Sequence, residues 1–375
     1  MGWIHKYEKK DYKSALRARC AERTRAMQLV CMCAYAHICA NTCTALFMGI
    51  CVGERYGGAG MKEKKQINMK IILNLFSWLS LLLVIALFGV TTKGAIFSSY
   101  NMKVIFSQSV LFMIGGLGLS FLFAEGGFDI SYGSVIGFAG ILGTMLTDRT
   151  QNWIWSLIVP VVFCLTMGVV NGLIYAHTNI MVFIQTMSIS FLLKGLFTTM
   201  LGSYGSYKVP KQLIFMGQTW FAVTALIVVG VITIWLFNYT PFGKHSRLYG
   251  TGKDAIVQSG VDVRRLKFLT FVFSGAVCAL VTLMSMARAG QSSTGLGSNF
   301  EFNVMIALTL GGMPSEGGTG SKIQSVFIGC LIVALLANGM VLLGVNARLQ
   351  EVIKGVIFIL VLIFMLKIKE KSEVL

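Results

Sequence analysis

Few ionisable side chains interrupt the apolar part of this sequence, and they are the first residues to consider for chemistry. Asp129 lies in AEGGFDIS and Lys194 lies in SFLLKGLF, each flanked by apolar residues. A charge in such surroundings is costly to bury and needs a partner, so both side chains are candidates for a functional role. Each could pair with the other or with a helix terminus. Glu125 in the same stretch as Asp129, and Glu301, Glu351 and Lys354 beside later apolar segments, could instead lie where a segment ends.

Motifs for catalysis are missing. A nucleotide site would need Gly-x-x-x-x-Gly-Lys-Ser/Thr, and the chain has only two fragments, from Gly250 to Lys253 and from Gly318 to Lys322. The scattered His and Cys residues match no metal-ligand spacing, and no serine has a visible triad. The sequence therefore predicts a protein that is not an enzyme, with no catalytic residue, no metal site and no cofactor of its own.

The composition indicates a membrane protein. Of the 375 residues, 55% are hydrophobic and only 13% are charged, a balance that a water-soluble core does not need. The net charge of +17 would suggest a nucleic-acid partner in a soluble protein. Here most Lys and Arg lie beside apolar segments and serve as topology signals, so the expected partner is the lipid bilayer and not nucleic acid.

The apolar segments must position these residues, and their number predicts an all-α polytopic membrane protein of about ten transmembrane helices. The third and eighth segments are shorter than the ~20 residues that cross hydrocarbon, so some helices are expected to be short, tilted or broken. The segments are 71–90, 104–124, 132–147, 153–177, 181–201, 217–238, 268–288, 304–312, 323–343 and 351–366.

Residues 1–60 differ from the rest of the chain. They are basic, then rich in Cys and Thr, and MKEKKQINMK after them has the pattern of a membrane-protein start. We expect 1–60 to be a non-native or disordered extension and 61–375 to be the transmembrane domain. Two alternatives are an extra span over 27–52 and a redox or metal role for its cysteines.

The basic residues also predict the topology. The Lys-rich start, the tail KIKEKSEVL and the loop 239–267 fall on one side when the number of spans is even. Because positive charge accumulates inside, both termini of the 61–375 part are expected in the cytoplasm. The inner loop contains DAIVQSGV between glycines, a candidate short helix that could dock on a partner; the alternative is a solvated basic linker.

Several stretches in order resemble a known family. They are GGFDISYGSVIGFAGILGTML, GVVNGLIYAHTNIMVFIQTMSISFLLKGL, the inner loop from TPFGKHSRLYGTGKDAIVQSGVDVRRLKF onward, FEFNVMIALTLGGMPSEGGTGS and NGMVLLGVNARLQEVIKG. The chain is similar, over roughly residues 70 to 368, to the ABC permeases that import ribose, galactose, xylose, autoinducer-2 and related solutes. The family's GGIDLSVGS matches Asp129, Ser131, Gly133 and Ser134 position by position.

The resemblance implies which inner-loop residues couple the chain to an ATPase. Gly252 stands where Asn is common in the family, and Ile256-Val257 where Ala-Arg is common, so the resemblance implies docking but does not carry over the partner's contacting residues. The implied coupling residues are Gly243, Gly250, Asp254, Ala255, Ser259 and Gly260.

The resemblance further implies a transmembrane permease subunit of an ATP-driven importer for a monosaccharide or similar small polar solute. Such a subunit lies in the bacterial plasma (inner) membrane and works by alternating access. The implied partners are ABC ATPase subunits that use the ATP, an extracytoplasmic solute-binding protein, and a second permease copy, identical or not.

Two other functions are compatible with the residues alone. An ion-coupled secondary transporter could use Asp129 and Lys194 as its ion site, although a docking helix has no role without an ATPase. A structural or assembly protein would need no solute path. Polar side chains in membrane helices often only bridge helices, but six could line a path: Asp129, Ser131, Asn171, Gln185, Lys194 and Asn338.

Overall fold

A computed structural model of the chain describes residues 77–178, 180–201 and 205–374. The predicted extension 1–60 lies outside the described residues. The helices are α1 (Ser77–Thr91), α2 (Ser99–Ala124), α3 (Tyr132–Thr150), α4 (Trp155–His177), α5 (Val182–Leu201), α6 (Thr219–Tyr239), α7 (Pro241–Thr251), α8 (Lys253–Gln258), α9 (Val263–Ala289), α10 (Phe300–Leu310), α11 (Ile323–Leu342) and α12 (Ala347–Val374). Short 3-10 segments cover Ala95–Phe97 and Lys211–Gly217.

Each of the ten predicted apolar segments overlaps one of these helices. Within the described ranges, six helices are long and apolar enough to cross a membrane, namely α2, α4, α5, α6, α9 and α11. The apolar helices α1 and α10 are shorter. The chain is thus a helical membrane protein, and ten complete spans remain a prediction.

Helix α2 is the centre of the bundle. Its second half, from Ile114 to Ala124, is almost completely inaccessible to solvent, and it packs against α9, α10 and α11. Small residues allow this approach, because a Cβ at Gly118 would lie only 2.8 Å from the Cβ of Val277 on α9. Helix α4 approaches α9 in the same way, since a Cβ added at Gly168 on α4 would lie 3.0 Å from the Cα of Gly275 on α9.

Helices α10 and α11 approach each other very closely. A Cβ added at Gly329 would overlap the carbonyl oxygen of Ala307, and one at Gly311 would overlap that of Ser325. The two backbones therefore touch with no side chain between them. This contact requires glycine at both positions.

Two features at opposite ends of the bundle were not predicted. At one end, strands β1 (Ser206–Lys208) and β2 (Gln291–Ser293) pair antiparallel, with Ser206 opposite Ser293. We call this the ribbon end, and it adds a small β element to the expected all-α fold. At the other end, which we call the loop end, the inner loop forms two helices: α8 overlaps the predicted DAIVQSGV helix, and α7, which begins at Pro241, was not predicted.

Candidate functional site

Four of the predicted path residues form one buried hydrogen-bond network. Asp129 Oδ1 accepts from the backbone N of Ser131 at 2.8 Å and from its Oγ at 2.6 Å. Asn171 Nδ2 donates to Ser131 Oγ at 3.1 Å, and Gln185 Nε2 donates to the backbone oxygen of Asn171 at 2.8 Å. All four side chains are buried. The network joins the turn between α2 and α3 to α4 and α5.

Neighbouring polar atoms hold the same turn in place. The backbone N of Ile130 donates to Thr186 Oγ1 on α5 at 3.1 Å, and the hydroxyls of Ser134 and Ser190 lie 2.5 Å apart. Helix α3 is therefore tied to α5 at its first turn by side chains that a sequence pattern cannot pair. Asn171 Oδ1 receives no hydrogen bond from the described residues, so the network has acceptor capacity left.

Lys194 lies apart from this network. Its Nζ is 3.7 Å from Glu301 Oε1, so the suggested pairing with Asp129 is wrong. Glu301 is fully buried at the first turn of α10, not at an interface, because the chain between β2 and α10 packs against α3. A Cβ at Gly133 would overlap Glu301 Oε2, so glycine there makes room for the carboxylate. Asn338, the sixth predicted path residue, is buried separately on α11.

A second polar seam joins α10 to α12. Lys354 Nζ donates to Asn303 Oδ1 at 2.8 Å, and Asn299 Nδ2 donates to Glu351 Oε1. Asn299 and Asn303 are four residues apart and share one helix face. The sequence left open whether Glu351 and Lys354 lie at a segment end, and it gave no signal for either asparagine.

Glu125 is buried at the loop end, directly after α2. Its Oε1 accepts from Thr270 Oγ1 at 2.6 Å and from Ser246 Oγ at 3.1 Å, which ties α2 to α9 and α7. Removal from water raises the pKa of this carboxyl to about 8, against the lowering effect of the two hydroxyls.

Helix α7 is seated directly on the end of α2. A Cβ at Gly250 would overlap the carbonyl oxygen of Ala124 and would lie 2.5 Å from the backbone N of Gly318. Gly318 N itself donates to Ala124 O at 2.8 Å, and Thr319 N donates to Thr251 Oγ1 at 3.0 Å. Three chain segments therefore meet at one point: the end of α2, the end of α7 and the turn that follows α10.

The other predicted coupling residues divide into two groups. Gly243 lies in the bundle, where an added Cβ would overlap the backbone of Phe237. Ala255, Ser259 and Gly260 are exposed on or just after α8. The buried side of α8 is anchored by Ile256, which packs with Tyr249 and Leu266. The backbone of Asp254 belongs to α8, and its side chain lies outside the described residues.

A cleft of about 520 Å³ opens beside Glu125 at the loop end. Its polar wall carries Lys253 and Lys267, whose ammonium groups lie 5.7 and 4.6 Å from the rings of Tyr249 and Tyr175, respectively. Its apolar wall is formed by parts of α5, α10 and α12, with Val182, Phe183, Met305 and Phe358. Within the described ranges, no cluster of His, Cys, Asp and Glu side chains could hold a metal ion.

A comparison with known proteins decides the family. Residues 101–362 match the family described as "Branched-chain amino acid transport system / permease component". The chain belongs to this permease family. The permease is 30% identical over 264 residues to the L-arabinose transport system permease protein AraH of Escherichia coli, covering 66% of this chain and 76% of that protein.

Two further relatives extend over more of the permease. The ribose import permease protein RbsC of Escherichia coli is 26% identical over 298 residues, which is 76% of this chain and 91% of RbsC. The xylose transport system permease protein XylH of Haemophilus influenzae is 24% identical over 370 residues, which is 80% of this chain and 97% of XylH. The predicted resemblance is confirmed, and these relatives, all transport permeases, do not favour an ion-coupled carrier.

Proposed function

We propose that the permease is the membrane subunit of an ATP-driven importer for a monosaccharide, in the inner membrane of a bacterium. Support comes from the relatives, whose names specify ribose, L-arabinose and xylose as their solutes. In this proposal residues 61–375 form the transmembrane domain, and ATP is bound and hydrolysed by separate ATPase subunits. A solute-binding protein delivers the sugar from outside, and a second permease copy completes the path.

The observation that carries the proposal is the seating of α7 on the end of α2, with α8 packed beside α7. Helix α8 presents an outer surface that includes Ala255, Val257 and Ser259, while Ile256 fixes its inner side. An ATPase that binds this surface would push on α7. Because Gly250 leaves no gap to Ala124 and Gly318, α7 would move α2 and the turn after α10 together. Gly243, Gly250, Asp254, Ala255, Ser259 and Gly260 are the proposed coupling residues.

The orientation follows from this docking. If α8 binds an ATPase, the loop end is cytoplasmic and the ribbon end faces the solute-binding protein. The last helix, α12, then ends on the cytoplasmic side with the basic tail KIKEKSEVL, as the excess of positive charge inside favours.

The buried network begins at Asp129 and Ser131, in the short segment between α2 and α3, and continues to Asn171 on α4 and Gln185 on α5. A movement of α2 would therefore reach α3, α4 and α5 through these hydrogen bonds. Contact of these residues with the solute, and of Asn338 on α11, remains a prediction. In their present arrangement they stabilise the bundle in which the path is built.

Co-purification tests the docking surface. The tagged full chain is expressed with the transport genes of its own organism and extracted mildly, and mass spectrometry identifies the proteins that accompany it. We expect an ABC ATPase, lost when Val257→Asp places a charge on α8 and retained when Ile214→Asp places one at the ribbon end. Both side chains are exposed, by 60% and 43% respectively.

Uptake tests the solute and the energy source. Vesicles containing the complex are given ATP inside and radiolabelled ribose, L-arabinose or xylose with the binding protein outside. ATP-dependent accumulation of one of these sugars supports the proposal. Accumulation on a proton or sodium gradient, without ATP and without any ATPase bound, would replace it with the secondary-transporter function.

A further inference from the structure

Helix α10 begins inside the bundle. Its 11 residues span roughly 16 Å, and the turn that follows it reaches the loop end, where Gly318 bonds to Ala124. The first turn of α10 therefore lies about half of the ~30 Å hydrocarbon thickness away from the loop end. The back of the helix, including Val304 and Leu308, is buried against α2 and α11, whereas Phe302 on its front is 40% exposed.

Charged and amide side chains flank that front at mid-depth. On one side Lys194 of α5 approaches the buried Glu301, and 43% of the Lys194 side chain is exposed. On the other side Lys354 of α12 donates to Asn303, which is only partly buried. Glu301 has no hydrogen bond at either carboxylate oxygen among the described residues, so its ion pair with Lys194 is incomplete.

These side chains cannot face hydrocarbon. A Lys or Glu near the bilayer centre costs several kcal/mol unless water or protein surrounds it. Leu192 and Val356, on other faces of α5 and α12, are exposed and apolar, as lipid contact requires. The polar front of α10 thus differs in kind from the surfaces on either side of it.

The same front continues to the loop end. Met305 and Thr309, one and two turns beyond Phe302 on α10, line the cleft together with Phe183 of α5 and Phe358 of α12. The cleft of about 520 Å³ is larger than a pentose needs. A solute in contact with Lys194 or Asn303 would have a continuous wall to follow towards Glu125.

We propose that the front of α10, between α5 and α12, is the solute-contacting wall of the translocation path. Lys194, Asn303 and Lys354 exchange hydrogen bonds with the hydroxyl groups of the passing solute, and Glu301 holds Lys194 in place. Two lysines here are balanced by Glu301 and Glu351, so the wall has no net charge and fits a neutral polyhydroxylated solute better than an amino acid or an anion. This inference rests on the proposed import function and specifies its path.

Cysteine labelling tests whether the wall faces water. Lys194→Cys is compared with Leu192→Cys on α5, and Asn303→Cys with Val356→Cys on α12, in opened membranes treated with a membrane-impermeant methanethiosulfonate reagent. Labelling of the unmutated chain is subtracted. Because only a thiolate in water reacts, we expect the first of each pair to label about tenfold faster, and millimolar ribose, L-arabinose or xylose to slow it. Equal slow labelling of all four would overturn the inference.

Uptake by a second set of variants separates contact from assembly. Asn303→Leu should lower the uptake of the transported sugar about tenfold, the loss expected for one buried hydrogen bond, while the ATPase still co-purifies. Thr224→Val on α6, an exposed position whose hydroxyl donates to Trp220 of its own helix, should leave uptake unchanged. Unchanged uptake by Asn303→Leu would contradict the inference. If the unmutated chain takes up none of the three sugars, the proposed import function is contradicted. The labelling experiment would still show whether the front of α10 faces water.

Discussion

Individual polar residues divide into those that close the bundle and those that remain accessible. Asp129, Ser131, Asn171 and Gln185 are linked by hydrogen bonds around the start of α3. Lys194 instead reaches outward from a buried carboxylate. Both kinds are polar side chains in apolar runs, and the sequence does not separate them because it does not show which side chains of other helices they meet.

The side-chain amide of Asn171 should stabilise the folded protein. In Asn171→Leu the hydroxyl of Ser131 loses its donor inside the bundle, so we expect the free energy of unfolding to fall by about 1–3 kcal/mol. Thermal unfolding in detergent measures the change. Thr166→Val is the matched control, because Thr166 is exposed on the same helix and bonds only to Val162 of that helix. Equal unfolding temperatures for the two variants would contradict a stabilising network.

Glu125 should make stability depend on pH. Burial raises the pKa of its carboxyl to about 8 in the folded protein, from an ordinary value of 4.5. Between these values the folded state holds one more proton than the unfolded state, so stability falls as the pH rises from about 5 to about 8. Glu125→Gln should flatten that part of the curve, and Asp148→Asn, at an exposed position on α3, should not. A curve for Glu125→Gln that follows the unmutated chain would exclude this origin.

At the scale of elements, the described helices follow the predicted apolar segments, while their ends and connections required the structure. The predicted segment 132–147 is shorter than α3, which has 19 residues because the polar residues Asp148, Arg149 and Thr150 continue the helix. Helix α7 was missed because its residues, PFGKHSRLYGT, are too polar to be an apolar segment, and its stability comes from packing on α2. The sequence left open whether Glu301 is buried or lies at an interface, because nothing in it shows that the chain before α10 packs back against α3.

The seating of α7 gives a sharp test. In Gly250→Ala the new Cβ would overlap the backbone oxygen of Ala124, which cannot rotate away, so α7 must shift. We expect sugar uptake to fall at least about tenfold, corresponding to 1.4 kcal/mol or more of strain. Gly252→Ala is the control, because its Cβ would meet nothing closer than the Cβ of Ala255 at 3.8 Å. Loss of uptake in both variants would show that the loop tolerates no added side chain, and that the contact with α2 is not the reason.

At the scale of the whole molecule, the family and the helical architecture were predictable, because the order of the motifs along the chain and the composition of its segments indicate both. Apolar segments, basic ends and several short motifs in sequence define a permease without any contact being known. The pairing of β1 with β2 joins residues 83 to 87 positions apart and has no local signal. Assembly with other chains is equally beyond a single sequence.

The boundary at residue 61 can be tested on the complete importer. A chain of residues 61–375 should reach the membrane, retain the ATPase and support sugar uptake at the level of the full chain, since the family match begins only at residue 101. Membrane fractionation and the uptake assay measure this. Failure of the shortened chain to insert would assign a structural role to residues 1–60.

The backbone contact between α10 and α11 has a consequence for how the gene can change under selection. Gly311 and Gly329 leave no volume for even one methyl group, whereas Gly195 and Gly355 have nothing within 4 Å of an added Cβ. In a randomly mutated library grown on the imported sugar as sole carbon source, codons 311 and 329 should stay glycine in the survivors, while codons 195 and 355 drift. The pattern of permitted substitutions would then outline the rigid pair of helices without any structural measurement.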